Sequence, residues 1–310
     1  MTSQPLRVGI VGLQPGRSWA ARAHVPALRA LAADFVIAGI ANTTLASAVQ
    51  AAAALDHGPR PFASVADLVA SADIDVVSVT VKVPHHLDVV KTAITAGKHV
   101  YCEWPLGNGL AEAQELARLA KEKDVLGVVG MQACLSPEIL YMKQLIADGF
   151  VGEVLSTTLI ARGGGWGGEI PEKKSHAYLL DNTNGATMLT IPVGHALAGL
   201  QAVLGDVENV SAVLATRRST AHVVDSGEKL PVTAPDQVLV SGVLTGGAPV
   251  SLHYRGGMPR DRAGLLWEIN GTEGDLRITG PFGHLQFALK SPSAAVIAAR
   301  TWLSDWVNFR

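Results

Sequence analysis

Cysteine is almost missing from this 310-residue chain: Cys102 and Cys134 stand alone without paired spacing, which excludes a disulfide framework and a thiolate zinc cage. His85 and His86 are adjacent, so one metal cannot take both in regular geometry, and no metal is expected. Charged residues are also few, 17% with a formal net charge of −2. No Lys/Arg run stands out as a footprint for nucleic acid or an acidic membrane. No stretch approaches about 18 uninterrupted apolar residues. The N-terminal MTSQPLRVGIVG enters a strand pattern without a basic-then-apolar leader. The expectation is a cytoplasmic chain, neither exported nor inserted in a membrane.

What is present is apolar surface. Hydrophobic residues make up 48% of the chain, and single cores seldom grow much beyond about 250 residues, so two domains are expected. From Leu6 to about Met131, β-branched runs (RVGIVGL, FVIAGIAN, DVVSVTV, HVYCEW, VLGVVGM) alternate with helical patterns. These cover Ser18 to Ala33, Thr44 to Leu55, Ala66 to Ser71, His86 to Ala96 and Leu110 to Lys121. That alternation predicts an α/β Rossmann domain, a doubly wound parallel sheet, over 1–131. After a helix predicted from Pro137 to Asp148 the texture changes. Short strands with turns at Thr245-Gly246-Gly247 and Gly271-Thr272-Glu273-Gly274 predict, over 132–310, an α+β domain with a large, mostly antiparallel sheet. One helix interrupts it, from about Gly194 to Leu204. The glycine-rich stretch from Gly163 to Gly168 is expected to be the most flexible loop.

The first strand ends at Gly12 and opens a helix through Leu13-Gln14-Pro15-Gly16-Arg17-Ser18-Trp19. Bare amides at such a turn, together with the helix dipole, suit a pyrophosphate. Gly12 and Gly16 are in place, but Gln14 replaces the middle glycine of the dinucleotide fingerprint. After the second strand comes Asn42-Thr43-Thr44, where an acid would hold a ribose. Its absence permits NADP, toward which the reading leans, without excluding NAD; the alternative is that these residues only cap the next helix.

The segment from Ala96 to Leu106 (AGKHVYCEWPL), with Pro84 to His86, Gly149 to Val154 and Gly185 to His195, resembles the glucose-fructose oxidoreductase/inositol dehydrogenase (Gfo/Idh/MocA) family. Trp19-Ala20, Leu135-Ser136-Pro137, the run Gly185 to His195 and Trp267 to Gly274 resemble the branch that includes the galactose-pathway transcriptional inhibitor of yeasts and its bacterial relatives. The resemblance implies cofactor contacts from Gly12, Gln14, Gly16, Trp19, Asn42, Thr43, Val81, Pro84, His86, Glu103, Trp104 and Pro105. It makes His195 the catalytic histidine, with Tyr178 or Lys82 assisting, and puts Trp104, Asp181 and His195 at the substrate. Two departures matter: Trp104 stands where the dehydrogenases have lysine, and Ile191 where they have an aspartate four residues before the histidine. Indole can donate a hydrogen bond but carries no proton or charge.

These residues leave three readings open. One is an NAD(P)-dependent oxidoreductase acting on a sugar, polyol or related carbonyl compound. Another is a non-catalytic, dinucleotide-responsive regulator, and the third is redox-assisted elimination or glycoside cleavage. The chain ends in Trp302-Leu303-Ser304-Asp305-Trp306-Val307-Asn308-Phe309-Arg310, aromatics that need a cover. A homo-oligomer, dimer or tetramer, paired through the C-terminal sheet is the expectation.

Overall fold

The computed structural model describes residues 4–257 and 264–285, so the aromatic C-terminal run lies outside the described residues. The chain divides into two compact units, Met1–Gly130 and Met131–Arg310.

Unit one is a Rossmann domain. Its strands are β1 (Leu6–Val11), β2 (Phe35–Ala41), β3 (Arg60–Phe62), β4 (Val76–Val79), β5 (His99–Glu103) and β6 (Gly127–Gly130). They form one parallel sheet in the order β3-β2-β1-β4-β5-β6. The order reverses at β1, which pairs with both β2 and β4, and the crevice beyond the strand ends at such a point is where doubly wound folds bind ligands. Helices α1 (Val25–Ala30), α2 (Leu45–Ala53), α3 (Val65–Ala70), α4 (His86–Thr95) and α5 (Leu110–Glu122) cover the two faces. One face packs Val8, Ile10 and Ile40 on the alanines of α2, and the other packs Val77, Val79 and Val100 on Leu68, Val90 and Leu116.

The helix expected from Ser18 to Ala33 is interrupted. Its first turn, Ala20–His24, is a π-turn, and α1 follows. The cause is Pro26, which has no N–H to offer the preceding turn, so Val25 N–H reaches back five residues to the Ala20 carbonyl. The same device recurs in unit two, where Pro192 lies in the π-turn Leu189–Val193 and Val193 N–H donates to the Met188 carbonyl.

Unit two is built on a six-stranded sheet of order β15-β14-β7-β13-β12-β9. Its members are β7 (Val154–Gly163), β9 (Val207–Ala215), β12 (Gln237–Leu244), β13 (Pro249–Gly256), β14 (Leu265–Gly271) and β15 (Asp275–Gly280). Only β7 with β13 is parallel; the other pairings are antiparallel. Helices α6 (Pro137–Ala147) and α8 (Gly194–Leu204) pack on one face around Trp267, Tyr254 and Leu159. A short helix α7 (Lys173–His176) and a small sheet of β8 (Glu169–Ile170), β10 (Thr220–Val223) and β11 (Lys229–Pro231) form a satellite core around Ile170, Leu180 and Val223, which the sequence reading missed.

The glycine-rich stretch is not slack, contrary to expectation. Trp166 Nε1 donates to the Leu179 carbonyl at 3.0 Å. A side chain on Gly167 would meet the Gly257 backbone at 2.4 Å, and one on Gly256 the Trp166 carbonyl at 2.1 Å. The glycines are there because two backbones touch. Tyr254 is wholly buried in the apolar core and its hydroxyl has no hydrogen-bond partner. Tyr254→Phe is therefore expected to leave thermal stability unchanged or raise it. A loss above about 1 kcal/mol in chemical denaturation would show that the hydroxyl does have a partner.

Candidate functional site

The strand registers bring the predicted dinucleotide residues to one edge. Val11 is level with Ala41 on one side and with Val79 on the other. The residues that follow, Gly12, Asn42 and Thr80, therefore leave the sheet side by side, with Val81 next after Thr80. Gly12 turns at φ +104 directly over Thr80, whose carbonyl lies 2.8 Å from where a Cβ would stand. The turn then closes on itself: Ser18 N–H donates to the Gln14 carbonyl at 3.0 Å, and Gln14 N–H to Ser18 Oγ at 3.0 Å. Gln14 and Gly16 are exposed, and Trp19 is half-buried.

Asn42 ties this turn to the next element. Its Nδ2 donates to the Leu13 carbonyl at 2.9 Å and the Ser47 carbonyl at 3.1 Å. Thr44 caps α2 in a reciprocal pair with Ser47, while Thr43 is exposed. The segment Asn42-Thr43-Thr44-Leu45-Ala46 contains no basic side chain to meet a 2′-phosphate.

His86 joins two further predicted segments. Its ring lies between main-chain carbonyls, Nδ1 2.7 Å from Pro105 O and Nε2 2.9 Å from Val81 O. The Cys102 sulfur is 3.4 Å from the same Nδ1. Burial, then the nearby Glu103, pushes the Cys102 thiol far up, so it remains protonated and unreactive. The Trp104-Pro105 peptide is cis, with Trp104 half-buried and Pro105 buried. Lys82 precedes a single 3-10 turn, Val83–His85, on which Pro84 is exposed.

Sequence reasoning missed His24. It projects from the π-turn that follows the Gly12–Trp19 turn, Nδ1 3.1 Å from Ser78 Oγ on β4 and Nε2 3.2 Å from Glu103 Oε1 at the end of β5, with its ring edge-on to Tyr101 at 5.2 Å. The helical segment after the Gly12–Trp19 turn is thereby fastened to the strand that ends at Glu103, just before Trp104. His24→Leu is expected to cost roughly 1–3 kcal/mol, because Glu103 would keep its burial and lose its partner. An unchanged unfolding midpoint would remove this fastening from the account.

In unit two, His195 lies in the first turn of α8, immediately after the second π-turn. It is 2% exposed and its Nδ1 has no hydrogen-bond partner. Burial first, and then the proximity of His284, lowers its pKa to about 4. Ile191, one turn earlier, offers no carboxylate. Tyr178 is half-buried in the 3-10 turn Ala177–Leu180, and its carbonyl accepts from Asn184 Nδ2 at 3.0 Å. Asp181 is exposed and caps the next turn, its Oδ1 accepting from Thr183 N–H at 2.9 Å and from the Thr183 hydroxyl at 2.8 Å. Capping is the work the structure gives Asp181. Among the described residues no group of three or more His, Cys, Asp or Glu side chains could hold a metal.

The fold defines a protein class: residues 6–131 match the oxidoreductase family with an NAD-binding Rossmann fold, and the chain belongs to that Gfo/Idh/MocA family. Residues 137–280 match the C-terminal domain of Gal80p, which assigns it to the Gal80p-like branch. The galactose/lactose metabolism regulatory protein GAL80 of Kluyveromyces lactis is 32% identical over 304 residues, 93% of this chain and 66% of that protein. The solved structure of Gal80p from K. lactis matches with a TM-score of 0.84 at 32% identity, covering 90% of this chain and 71% of that one. Dehydrogenase aclE of Aspergillus oryzae is 33% identical over 238 residues, 74% of this chain and 64% of that protein. The chain thus spans about two thirds of the length of these curated relatives.

Proposed function

We propose that this chain binds a nicotinamide dinucleotide on unit one and a small sugar-like molecule on unit two, and responds to their binding without turning them over. The observation that carries this reading is the state of the proton-handling groups. Trp104 replaces the lysine, Ile191 replaces the aspartate, and His195, with a pKa near 4, is neutral at pH 7 with nothing oriented against its Nδ1. General acid–base catalysis works best with a group whose pKa lies near the operating pH, and His195 lies far from it. The similarity to GAL80 regulatory proteins supports the same reading. The lack of a basic residue after β2 favours NAD(H) over the NADP(H) toward which the sequence reading leans.

A second reading, an NAD(P)-dependent oxidoreductase of sugars, polyols or related carbonyl compounds, draws on the retained His195 and on the likeness to dehydrogenase aclE. The two separate cleanly. We expect saturable quenching of protein fluorescence by NADH and no absorbance change at 340 nm across a carbohydrate panel with either dinucleotide. Turnover with any panel member, abolished by His195→Ala, would replace the regulator with the enzyme.

The proposed partners are small molecules and a second copy of the chain in the cytoplasm, rather than nucleic acid or membrane. Among the described residues no helix is long and apolar enough to cross a membrane. Edge strand β9 exposes Val210, Val213 and Leu214, and Leu239 is exposed on the neighbouring β12. Long apolar edges of this kind call for a cover. Val213→Asp is expected to shift the mass measured by light scattering from dimer or tetramer toward monomer; a wild-type monomer at tens of micromolar would exclude this pairing.

A further inference from the structure

His86 is the first residue of α4 and is only 1% exposed. The resemblance counts it among the cofactor contacts, but a side chain buried so deeply meets main chain instead. Its Nδ1 is 2.7 Å from the Pro105 carbonyl oxygen and its Nε2 is 2.9 Å from the Val81 carbonyl oxygen. A carbonyl oxygen only accepts, so each contact requires a hydrogen on the ring nitrogen. Neutral imidazole carries one such hydrogen, and the imidazolium carries two. A neutral ring would therefore set a nitrogen lone pair against one of the two oxygens at hydrogen-bonding distance.

The groups around the ring do not relieve that conflict. The Cys102 sulfur on β5 lies 3.4 Å from Nδ1, and its protonated thiol directs a weak donor toward the Leu106 carbonyl at 4.0 Å. Glu103 comes next on the same strand, but its Oε1 faces His24 Nε2 at 3.2 Å. Lys82 and His85 precede the ring along the chain, and Asp88 lies in the first turn of α4. Among the described residues no carboxylate pairs with His86. Burial and the helix N-terminus both oppose a positive charge here. The two carbonyls offset them, at distances that suit charge-assisted hydrogen bonds.

Both carbonyls belong to segments at the edge where the dinucleotide residues gather. Val81 follows Thr80, whose carbonyl lies against the Gly12 turn and whose hydroxyl donates to the Val11 carbonyl at 2.9 Å. Pro105 follows Glu103 and Trp104 after β5. We propose that His86 is a doubly protonated clasp between these two segments, and that it acts as a positioning residue for the dinucleotide, shaping the edge without touching the ligand. Loss of one ring proton turns a hydrogen bond into a repulsion and frees the Val81 or the Pro105 segment. Dinucleotide affinity then falls as pH rises, and by linkage a bound dinucleotide holds the proton on the ring. The inference rests on reading unit one as the dinucleotide half.

Two measurements on the full chain test it. Nitrogen-15 magnetic resonance of histidine-labelled protein, with the His86 ring assigned by its proximity to Pro105 and by its absence from His86→Gln, should show two ring N–H groups at pH 7 without ligand. Fluorescence titration with NADH at pH 6.5, 7.5 and 8.5 should show the dissociation constant rising about tenfold over that range. The carboxamide of His86→Gln does not titrate, so this variant should bind NADH more weakly at pH 6.5 and vary less than about twofold across the range. A merely structural histidine would lower the variant's stability and leave the pH slope in place. A single ring N–H at pH 7, a flat affinity in wild type, or an unchanged slope in His86→Gln would each overturn the proposal. Should the variant fail to fold, the wild type decides alone: the pH at which one ring N–H disappears must coincide with the pH at which affinity falls, and separate midpoints overturn the clasp. Two ring N–H groups with no NADH binding at any pH would instead overturn the dinucleotide reading, and the positioning role with it, while the charge on the ring stands.

Discussion

Gly12→Val is expected to weaken NADH binding by more than a hundredfold. Two effects act in the same direction. The residue turns at φ +104, a conformation a β-branched side chain scarcely adopts, and its Cβ would stand 2.8 Å from the Thr80 carbonyl and 3.0 Å from Val81 Cγ1. Strain of roughly 1–3 kcal/mol follows at the site itself, and relieving it moves the amides on which a pyrophosphate would rest. Gly16→Ala is the matched control. It also turns at positive φ, +71, but nothing lies within 4 Å of the added methyl, so it should cost about 1 kcal/mol and little affinity. The comparison is made by fluorescence titration, with circular dichroism of each variant. If Gly12→Val bound NADH as wild type does, the phosphate turn would have to be placed elsewhere.

The parts of this molecule that could be read from sequence are those made by residues close together in the chain. The parallel sheet follows from short β-branched runs separated by helical stretches. The turn after Val11 follows from a glycine between a strand and a helix, and α8 from the apolar pattern running Gly194 to Leu204. Less visible were features made by distant residues. His24 gains its meaning only because β4 and β5 carry Ser78 and Glu103 beneath it, and nothing in Ala-Ala-Arg-Ala-His marks it out. Arg162 and His284 are 122 positions apart, counted by their sequence numbers, and meet only through the chain reversal after β15. Pro26 and Pro192 were legible as residues, but their result, a π-turn before each site segment, needed the backbone to be seen. The slack ascribed to Gly163 to Gly168 was wrong for a related reason: glycine permits flexibility and close approach equally, and only the presence of Gly256 and Gly257 alongside decides between them.

Unit two is expected to lose stability between pH 6.5 and pH 4, before the ion pairs of unit one respond. His195 and His284 are each lowered to about 4, by burial first and then by a neighbouring basic group, His284 for the one and Arg162 for the other. The folded unit keeps both rings neutral while the unfolded chain protonates near 6.5, so acidification favours unfolding. The stabilisation is complete above pH 6.5, is lost progressively as pH falls, and is exhausted near pH 4, where the folded state also takes up protons. At 1.36 kcal/mol per pKa unit this amounts to roughly 3 kcal/mol per histidine. Asp75 of unit one acts in a lower window. Arg7, chiefly through its side-chain hydrogen bond, holds that carboxylate at about 2, so its contribution is lost only between the ordinary value near 3.8 and about 2. Thermal unfolding followed from pH 7.5 to pH 4.5 should show the midpoint falling steadily, with His195→Leu and His284→Gln each flattening the slope. A midpoint flat over that range, or an identical slope in both variants, would mean that the two imidazoles are not held neutral by the fold.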